Sequence, residues 1–373
     1  MIPVNKPYIG KNELKYLNEC VKSGWISSEG PYVEKFEKAF AENIGSSHAI
    51  AVCNGTAAIE VALYASGVKK GDEVILPSFT IISCVLAVIR LNAVPVLVDI
   101  DPDTWNMSIE AVKEKITNKT KVIMAVHIYG HPVDMDPLLE VAKKNKIIVL
   151  EDTSQALGAM YKGKKCGSIG DISSFSFYAN KFVTTGEGGM VVTNSHDMDI
   201  RARSYRNLCF NNKERFLHDD IGYNFRMTAM QAAIGLGQIE RLEKVVKRKI
   251  RMGHLYAKQL SKINGIKLQI EKPWAKTVYW MYCIQLDPSL GTNAKEMMAA
   301  LANMGIGTRP FFRGLHDQPS LKKLILNSNE KFPITDLSYK YGLYLPSSYK
   351  LTNSEINLVC DKVRKSLHML KKV

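Results

Sequence analysis

Leu14, Leu17 and Val21 recur at helical spacing over residues 12–23, and a second amphipathic helix is predicted from about Tyr32 to Asn43. Between them, Gly24-Trp25-Ile26-Ser27-Ser28-Glu29-Gly30-Pro31 reads as an extended or turning segment. His48–Cys53 then reads as a strand and runs into Asn54-Gly55-Thr56-Ala57-Ala58. Glycine permits a sharp turn there and the alanines favour a helix. A strand, turn and helix in this order leave backbone N–H groups unpaired at the helix start, where a phosphate can dock.

The same grammar repeats without sequence repeats. Strands are predicted at Glu73–Leu76, Pro95–Asp99, Lys121–Val126 and Ile147–Glu151, and helices at Ile82–Leu91, Ser108–Ile116 and Met135–Lys143. The alternation predicts βαβ units and a mainly parallel sheet whose polar strand ends share one crevice. Beyond residue 225 the texture changes. Ala229–Ile250 reads as one long helix, a spine between a large domain (residues 1–250) and a smaller α/β domain (residues 251–373). In the smaller domain a strand near Val278–Leu286, a helix near Ala294–Met304 and a final helix from Ser354 to about Met369 are predicted.

With 373 residues, 46% of them hydrophobic, the chain can bury a large core. Its 50 Lys and Arg against 36 Asp and Glu give a formal charge of +14, which suits nucleic acid, an anionic surface or a phosphorylated small substrate. The basic residues are spread out with only short clusters, and one such as Lys244–Arg251 reads as a solvated helix face, so nucleic acid is not the expected partner. The 7 cysteines contain no CxxC pair, and neither a metal site nor a disulfide framework is expected. No window approaches the roughly 18 apolar residues of a membrane span, so a cytoplasmic protein without membrane insertion is expected.

The chemistry concentrates in Ser174-Phe175-Ser176-Phe177-Tyr178-Ala179-Asn180-Lys181 and the glycine-rich Gly186-Glu187-Gly188-Gly189 that follows. A lysine between an aromatic strand and a glycine turn suits covalent chemistry on a carbonyl, although a solvent-facing lysine before a hairpin has the same pattern. Three other features converge with it. Gly55, Thr56 and Ala57 offer N–H groups and a hydroxyl to a phosphate, and Ser176 adds a second hydroxyl. Asp152, at the end of its strand, can pair with a protonated pyridine nitrogen. Together these are the parts of a pyridoxal phosphate site.

On these motifs, and on Glu151-Asp152-Thr153-Ser154-Gln155-Ala156 and Gly222-Tyr223-Asn224-Phe225-Arg226-Met227, essentially the whole chain resembles the DegT/DnrJ/EryC1/StrS family of sugar aminotransferases. The resemblance implies a fold-type-I (aspartate-aminotransferase-like) α/β architecture with a mainly parallel seven-stranded sheet. It implies that Lys181 carries the cofactor and moves the proton, that Asp152 meets the ring nitrogen, and that Gln155 lies near the 3-hydroxyl. Gly55, Thr56, Ala57 and Ser176 would hold the phosphate with Asn224 of the partner subunit, which makes a homodimer with shared sites. Ile81 stands where relatives commonly carry an aromatic ring, so stacking on the pyridine would come from elsewhere, with Phe79 as the candidate. Pyridoxamine phosphate would be the intermediate form of the cofactor.

Asp101-Pro102-Asp103-Thr104-Trp105-Asn106-Met107, His127-Ile128-Tyr129-Gly130-His131-Pro132 and Thr308-Arg309-Pro310-Phe311-Phe312 resemble the branch that aminates GDP-linked sugars. The implied reaction moves the amino group of L-glutamate, which leaves as 2-oxoglutarate, to C4 of a nucleotide-linked 4-keto-6-deoxyhexose. GDP-4-keto-6-deoxy-D-mannose, giving GDP-perosamine for O-antigen synthesis, is the expected substrate, and a dTDP- or UDP-linked 4-keto or 3-keto sugar is the alternative. Arg309, Arg226 and His316 are the expected substrate contacts, followed by Tyr8, Trp25 and His131. Dehydratases of the family replace the lysine by histidine, so Lys181 favours amino transfer; a non-catalytic regulator of the same fold is the remaining reading.

Overall fold

The computed structural model describes residues 1–211, 213–214, 216–322 and 330–370. In chain order the first strands are β1 (His48–Val52), β2 (Glu73–Pro77), β3 (Val94–Val98), β4 (Thr120–Val126) and β5 (Ile148–Asp152). A short hairpin, β6 (Met160–Tyr161) and β7 (Lys164–Lys165), precedes β8 (Ile172–Ser176) and β9 (Gly189–Thr193). The seven longer strands form one sheet in the order β1-β9-β8-β5-β4-β2-β3. From β8 to β3 every neighbour is parallel, and β9 alone runs opposite, pairing antiparallel with both β8 and β1.

Both faces of this sheet are covered, which is why its central strands are apolar almost throughout. Val122 and Met124 of β4 pack into one core, while Ile123 and Ala125 pack into a second core on the opposite face, as the two-residue period of a strand requires. Helices α1 (Lys11–Ser23), α2 (Pro31–Ile44), α3 (Gly55–Ala65) and α4 (Ser83–Arg90) precede α5 (Ile109–Lys115), α6 (Met135–Asn145) and α7 (His196–Arg206). Helix α3 packs on β8 and β9, whereas α5 and α6 lie against β3 and β5.

The single helix expected over Ala229–Ile250 is two: α8 (Ala229–Ile239) and α9 (Leu242–Leu260). The break falls at Glu240 and Arg241, where Arg241 leaves helical geometry (φ −113°, ψ 8°). Its guanidinium pairs with buried Glu13 and donates to the Tyr8 carbonyl, so long-range anchoring to the N-terminal segment turns the chain. Helix α8 packs so tightly on α2 that a Cβ on Gly235 would lie 2.6 Å from the Phe36 ring.

Strands β10 (Ile266–Leu268), β12 (Tyr282–Leu286), β13 (Arg309–Pro310) and β14 (Gly342–Leu345) make a four-stranded antiparallel sheet in the order β10-β12-β14-β13, while β11 (Ala275–Lys276) pairs with β6. Helices α9, α10 (Ala294–Asn303) and α12 (Asn353–Leu370) close its core, with α11 (Pro333–Tyr341) leading into β14. Residue 250 lies inside α9, and the N-terminal arm joins the small sheet's side, with Ile2 bridging Ile306.

Candidate active site

The sheet brings the predicted residues together at the C-terminal ends of its parallel strands, where ligands of open α/β sheets bind. Asp152 ends β5, Ser176 ends β8, Gly55 follows β1, Ile81 follows β2 and Tyr129 follows β4. At the start of α3 the Asn54 side chain accepts the Ala57 N–H (2.9 Å), which removes Ala57 as a donor and leaves the N–H groups of Gly55 and Thr56 without helical partners. A Cβ at Gly55 would stand 2.7 Å from the Ser176 Cβ and 2.9 Å from its Oγ, so only glycine lets the two segments meet. The Thr56 hydroxyl donates to Ser83 Oγ at 2.9 Å.

Asp152 is buried, with Oδ1 accepting the Ser154 N–H (3.0 Å) and Oδ2 accepting the Cys84 thiol (3.4 Å). The neighbouring Glu151 points to the other face and is fully buried. Its Oε1 accepts the N–H groups of Ile169 and Gly170, each at 2.7 Å; its Oε2 accepts Gly167 N–H (2.8 Å) and His127 Nε2 (2.9 Å). Burial raises the Glu151 carboxyl, but the hydrogen bond from His127 and the N–H groups of Gly170 and Gly167 outweigh it and hold it below the usual range. Val133 N–H donates to His127 Nδ1 (2.9 Å), so the ring proton lies on Nε2 toward Glu151. His127, Glu151 and Cys166 have metal-ligand spacing, but the histidine and carboxylate are spent on these bonds and the cluster reads as structural.

The Lys181 amine lies 4.1 Å from the centroid of the Trp280 ring. Burial lowers it to about 8, against the pull of Asp152 and Cys84, which raise it. Gln155 Oε1 accepts the Tyr129 N–H (2.8 Å). Among the described residues, three buried oxygens here have no partner: Thr153 Oγ1 beside Asp152, Ser174 Oγ on β8 and Asn180 Oδ1 beside Lys181. Unsatisfied polar atoms, a glycine cradle at a helix start and a half-buried amine near a carboxylate together fit a bound pyridoxal phosphate.

The substrate candidates separate. Tyr8 lines the cavity that holds Lys181, its ring stacked on Tyr349 (5.4 Å) and flanked by Arg241 (4.5 Å) and Lys350 (4.4 Å). Arg309 is exposed on β13 and donates to the Thr308 carbonyl (3.1 Å). Arg226 is tied to the side chains of Asn224 and Asn207, each at 2.9 Å. Trp25, Ile81 and Tyr223 are exposed, Trp25 against Gly30.

The expectations for His131 and Phe79 need correction. His131 has no accessible surface: Nδ1 meets the Pro132 carbonyl (2.7 Å), Nε2 accepts Lys272 N–H (3.3 Å), and burial lowers it to about 4, so it braces a loop and cannot reach a substrate. His316 spends one nitrogen on Ser78 Oγ (2.7 Å) and the other on Asp336 (3.0 Å), with its ring stacked on Phe332 at 4.4 Å. Phe79 is buried among Tyr129, Phe311 and Phe312, so it does not supply a stacking face for the pyridine.

The sequence reading missed Lys249, which belongs to the basic run on α9 and yet is buried, donating to the Trp280 carbonyl (2.8 Å) and the Ser347 carbonyl. A helical offset would have exposed it, since 249 shares the inner face with Leu242, Val245, Val246 and Met252.

A model of the DegT/DnrJ/EryC1/StrS aminotransferase family matches residues 7–364. The chain belongs to this family. It is 41% identical to the GDP-perosamine synthase of Escherichia coli O157:H7 over 363 residues, 97% of each chain. It is 40% identical to that of Caulobacter vibrioides over 362 residues, 96% of each. Among solved structures, the aminotransferase TlmJ from Streptoalloteichus hindustanus superposes with a TM-score of 0.92 at 28% identity, with both chains covered in full. The pyridoxal phosphate form of the sugar aminotransferase Spr1654 from Streptococcus pneumoniae gives 0.93 at 25% identity, again over both full chains. These fold-type-I relatives match the expected architecture of a large, mainly parallel sheet with a smaller C-terminal domain. Among the described residues no helix is long and apolar enough to cross a membrane.

Proposed function

We propose that the chain is a pyridoxal phosphate-dependent aminotransferase that moves the amino group of L-glutamate to C4 of a nucleotide-linked 4-keto-6-deoxyhexose. GDP-4-keto-6-deoxy-D-mannose is the substrate this reading favours, with GDP-perosamine as product. The observation that carries it is the half-buried Lys181 amine, set 4.1 Å from the Trp280 ring in a site that also holds buried Asp152 and a helix start with free N–H groups. The choice of sugar is supported by three GDP-perosamine synthases 38–41% identical over at least 96% of the chain.

When bound, the cofactor supplies an electron sink for the substrate carbon. Asp152 would hold the pyridine nitrogen, its carboxylate oriented by Ser154 N–H and the Cys84 thiol. Gly55, Thr56 and Ser176 would hold the phosphate, and Gln155, aligned by Tyr129 N–H, would lie near the 3-hydroxyl. Lys181, with its amine lowered to about 8, is poised to give up and take back a proton near neutral pH. In the first half-reaction Lys181 carries a proton off the glutamate carbon as 2-oxoglutarate forms. In the second it returns a proton to sugar C4, and the keto oxygen leaves as water. The face from which Lys181 delivers that proton fixes the new stereocentre.

Arg309, exposed on β13, is the candidate partner for the nucleotide diphosphate, with Tyr8, which lines the Lys181 cavity, nearer the sugar. A homodimer with Asn224 of the partner subunit reaching the phosphate is part of the proposal. It is supported by the exposure of the large apolar side chains Trp25, Ile26, Ile81, Ile221 and Tyr223, which a partner subunit would cover. A coupled assay with glutamate and GDP-, dTDP- or UDP-linked keto sugars tests the substrate. Preferred turnover of the GDP sugar is expected; equal or faster turnover of a dTDP or UDP sugar refutes the assignment.

A further inference from the structure

Among the described residues, buried Lys249 has no carboxylate as a hydrogen-bond partner. Such a group is expensive to bury, and a methionine of similar length would fill the same space without that cost. Its two acceptors both lead back to Lys181. The Trp280 carbonyl is one (2.8 Å), and the same residue donates its indole N–H to the Asn180 carbonyl at 2.9 Å while its ring faces the Lys181 amine at 4.1 Å. The Ser347 carbonyl is the other; Ser347 N–H donates to the Val4 carbonyl (2.7 Å), and the adjoining Asn5 side chain donates to the same Asn180 carbonyl (3.1 Å). A closed circuit of hydrogen bonds and main chain thus runs from α9 through the residues just before β12 and just after β14, the lysine loop and the N-terminal arm, and Lys181 follows directly on Asn180.

We propose that Lys249 is a positioning residue whose buried amine holds the Trp280 indole against Lys181 and so keeps water from the reactive amine. Both bonds need only N–H donors, which a neutral amine retains; burial does lower Lys249, to about 7, with Cys283 on β12 pulling the other way. The charged and titratable groups around the pair are Asp152 and Cys84 facing Lys181, and Arg241, Lys6, Tyr8 and Tyr349 lining the cavity that both lysines share. The inference rests on Lys181 being the reactive amine of the proposed transfer, but its test reads the free amine directly.

The full-length chain, freed of cofactor, is acetylated with limiting reagent across about pH 6 to 11, and the extent at Lys181 is read by peptide mass spectrometry. The unaltered chain is expected to show a midpoint near 8. Lys249→Met, folded by circular dichroism, is expected to raise it by at least about one unit toward the ordinary lysine value of about 10.4, because a loosened indole admits water. Trp280→Ala is expected to move it the same way, and carries the test if Lys249→Met does not fold. An unmoved midpoint in either folded variant overturns the proposal and leaves the amino-transfer assay with keto sugars unaffected.

Discussion

Glu151→Gln isolates the device that fixes the end of β5. The carboxylate is fully buried and each oxygen takes two donors: Ile169 and Gly170 N–H on one, Gly167 N–H and the His127 ring on the other. An amide keeps one of those oxygens. Whichever way it turns, its NH₂ faces two N–H donors, and His127 cannot reverse its tautomer while Val133 N–H holds Nδ1. Hydrogen bonds to a buried charge contribute roughly 1.5–3 kcal/mol each, and breaking one partner of such a cluster costs about 3–5 kcal/mol. The variant should therefore lose about 3–5 kcal/mol in urea unfolding followed by circular dichroism, as a lower midpoint at unchanged slope. The pH dependence has a definite sign. Because the folded carboxyl is held below its usual range, its contribution is present above the unfolded value of about 4.3 and is lost as pH falls through the lower folded value. Glu151→Gln should lack that part of the acid loss. A cost below about 1 kcal/mol at neutral pH would refute the reading of Glu151 as the organiser of this loop.

Gly55→Ala puts a carbon 2.7 Å from the Ser176 Cβ, where ordinary contact is about 3.5–4.0 Å, so the helix start must withdraw from Ser176. Pyridoxal phosphate should then bind ~10-fold or more weakly in a fluorescence titration, a loss of about 1.4 kcal/mol, and unchanged affinity would count against the cradle. His131, lowered to about 4, should favour unfolding as pH drops from its unfolded value of about 6.5, because only the unfolded chain takes up the proton. The loss should reach about 3 kcal/mol by pH 4 and be absent in a folded His131→Asn variant; equal acid slopes in the two proteins would contradict it. Mixing Lys181→Ala with Asn224→Ala chains should restore up to about a quarter of full activity if sites are shared between subunits, since half the dimers are mixed and each has one intact site. No recovery after verified subunit exchange would remove Asn224 from the partner's site.

What the sequence revealed was what local chemistry encodes. The alternation of strand and helix periods located the large sheet. Gly55, Asp152 and Ser176 were visible because each ends a strand or starts a helix, positions that the sheet gathers into one crevice. Long-range pairing was hidden. The turn at Arg241 depends on Glu13 and the Tyr8 carbonyl, so nothing local in Ala229–Ile250 marks a break. His131 and His316 stood as expected substrate contacts because Pro132, Lys272, Ser78 and Asp336 meet them only in the folded chain. Lys249 was masked by its neighbours, since a run of charges does not say which member faces inward. The strands β10, β13 and β14 have two to four residues, too few to show a period.

The decisive measurement compares the unaltered protein with Lys181→Ala, both supplied with pyridoxal phosphate, L-glutamate and GDP-4-keto-6-deoxy-D-mannose, with the amino sugar nucleotide counted by mass spectrometry. The unaltered chain should form it in step with 2-oxoglutarate, and the folded variant should form none above the enzyme-free background. Full amino transfer by Lys181→Ala would contradict the assignment of the reaction to this lysine.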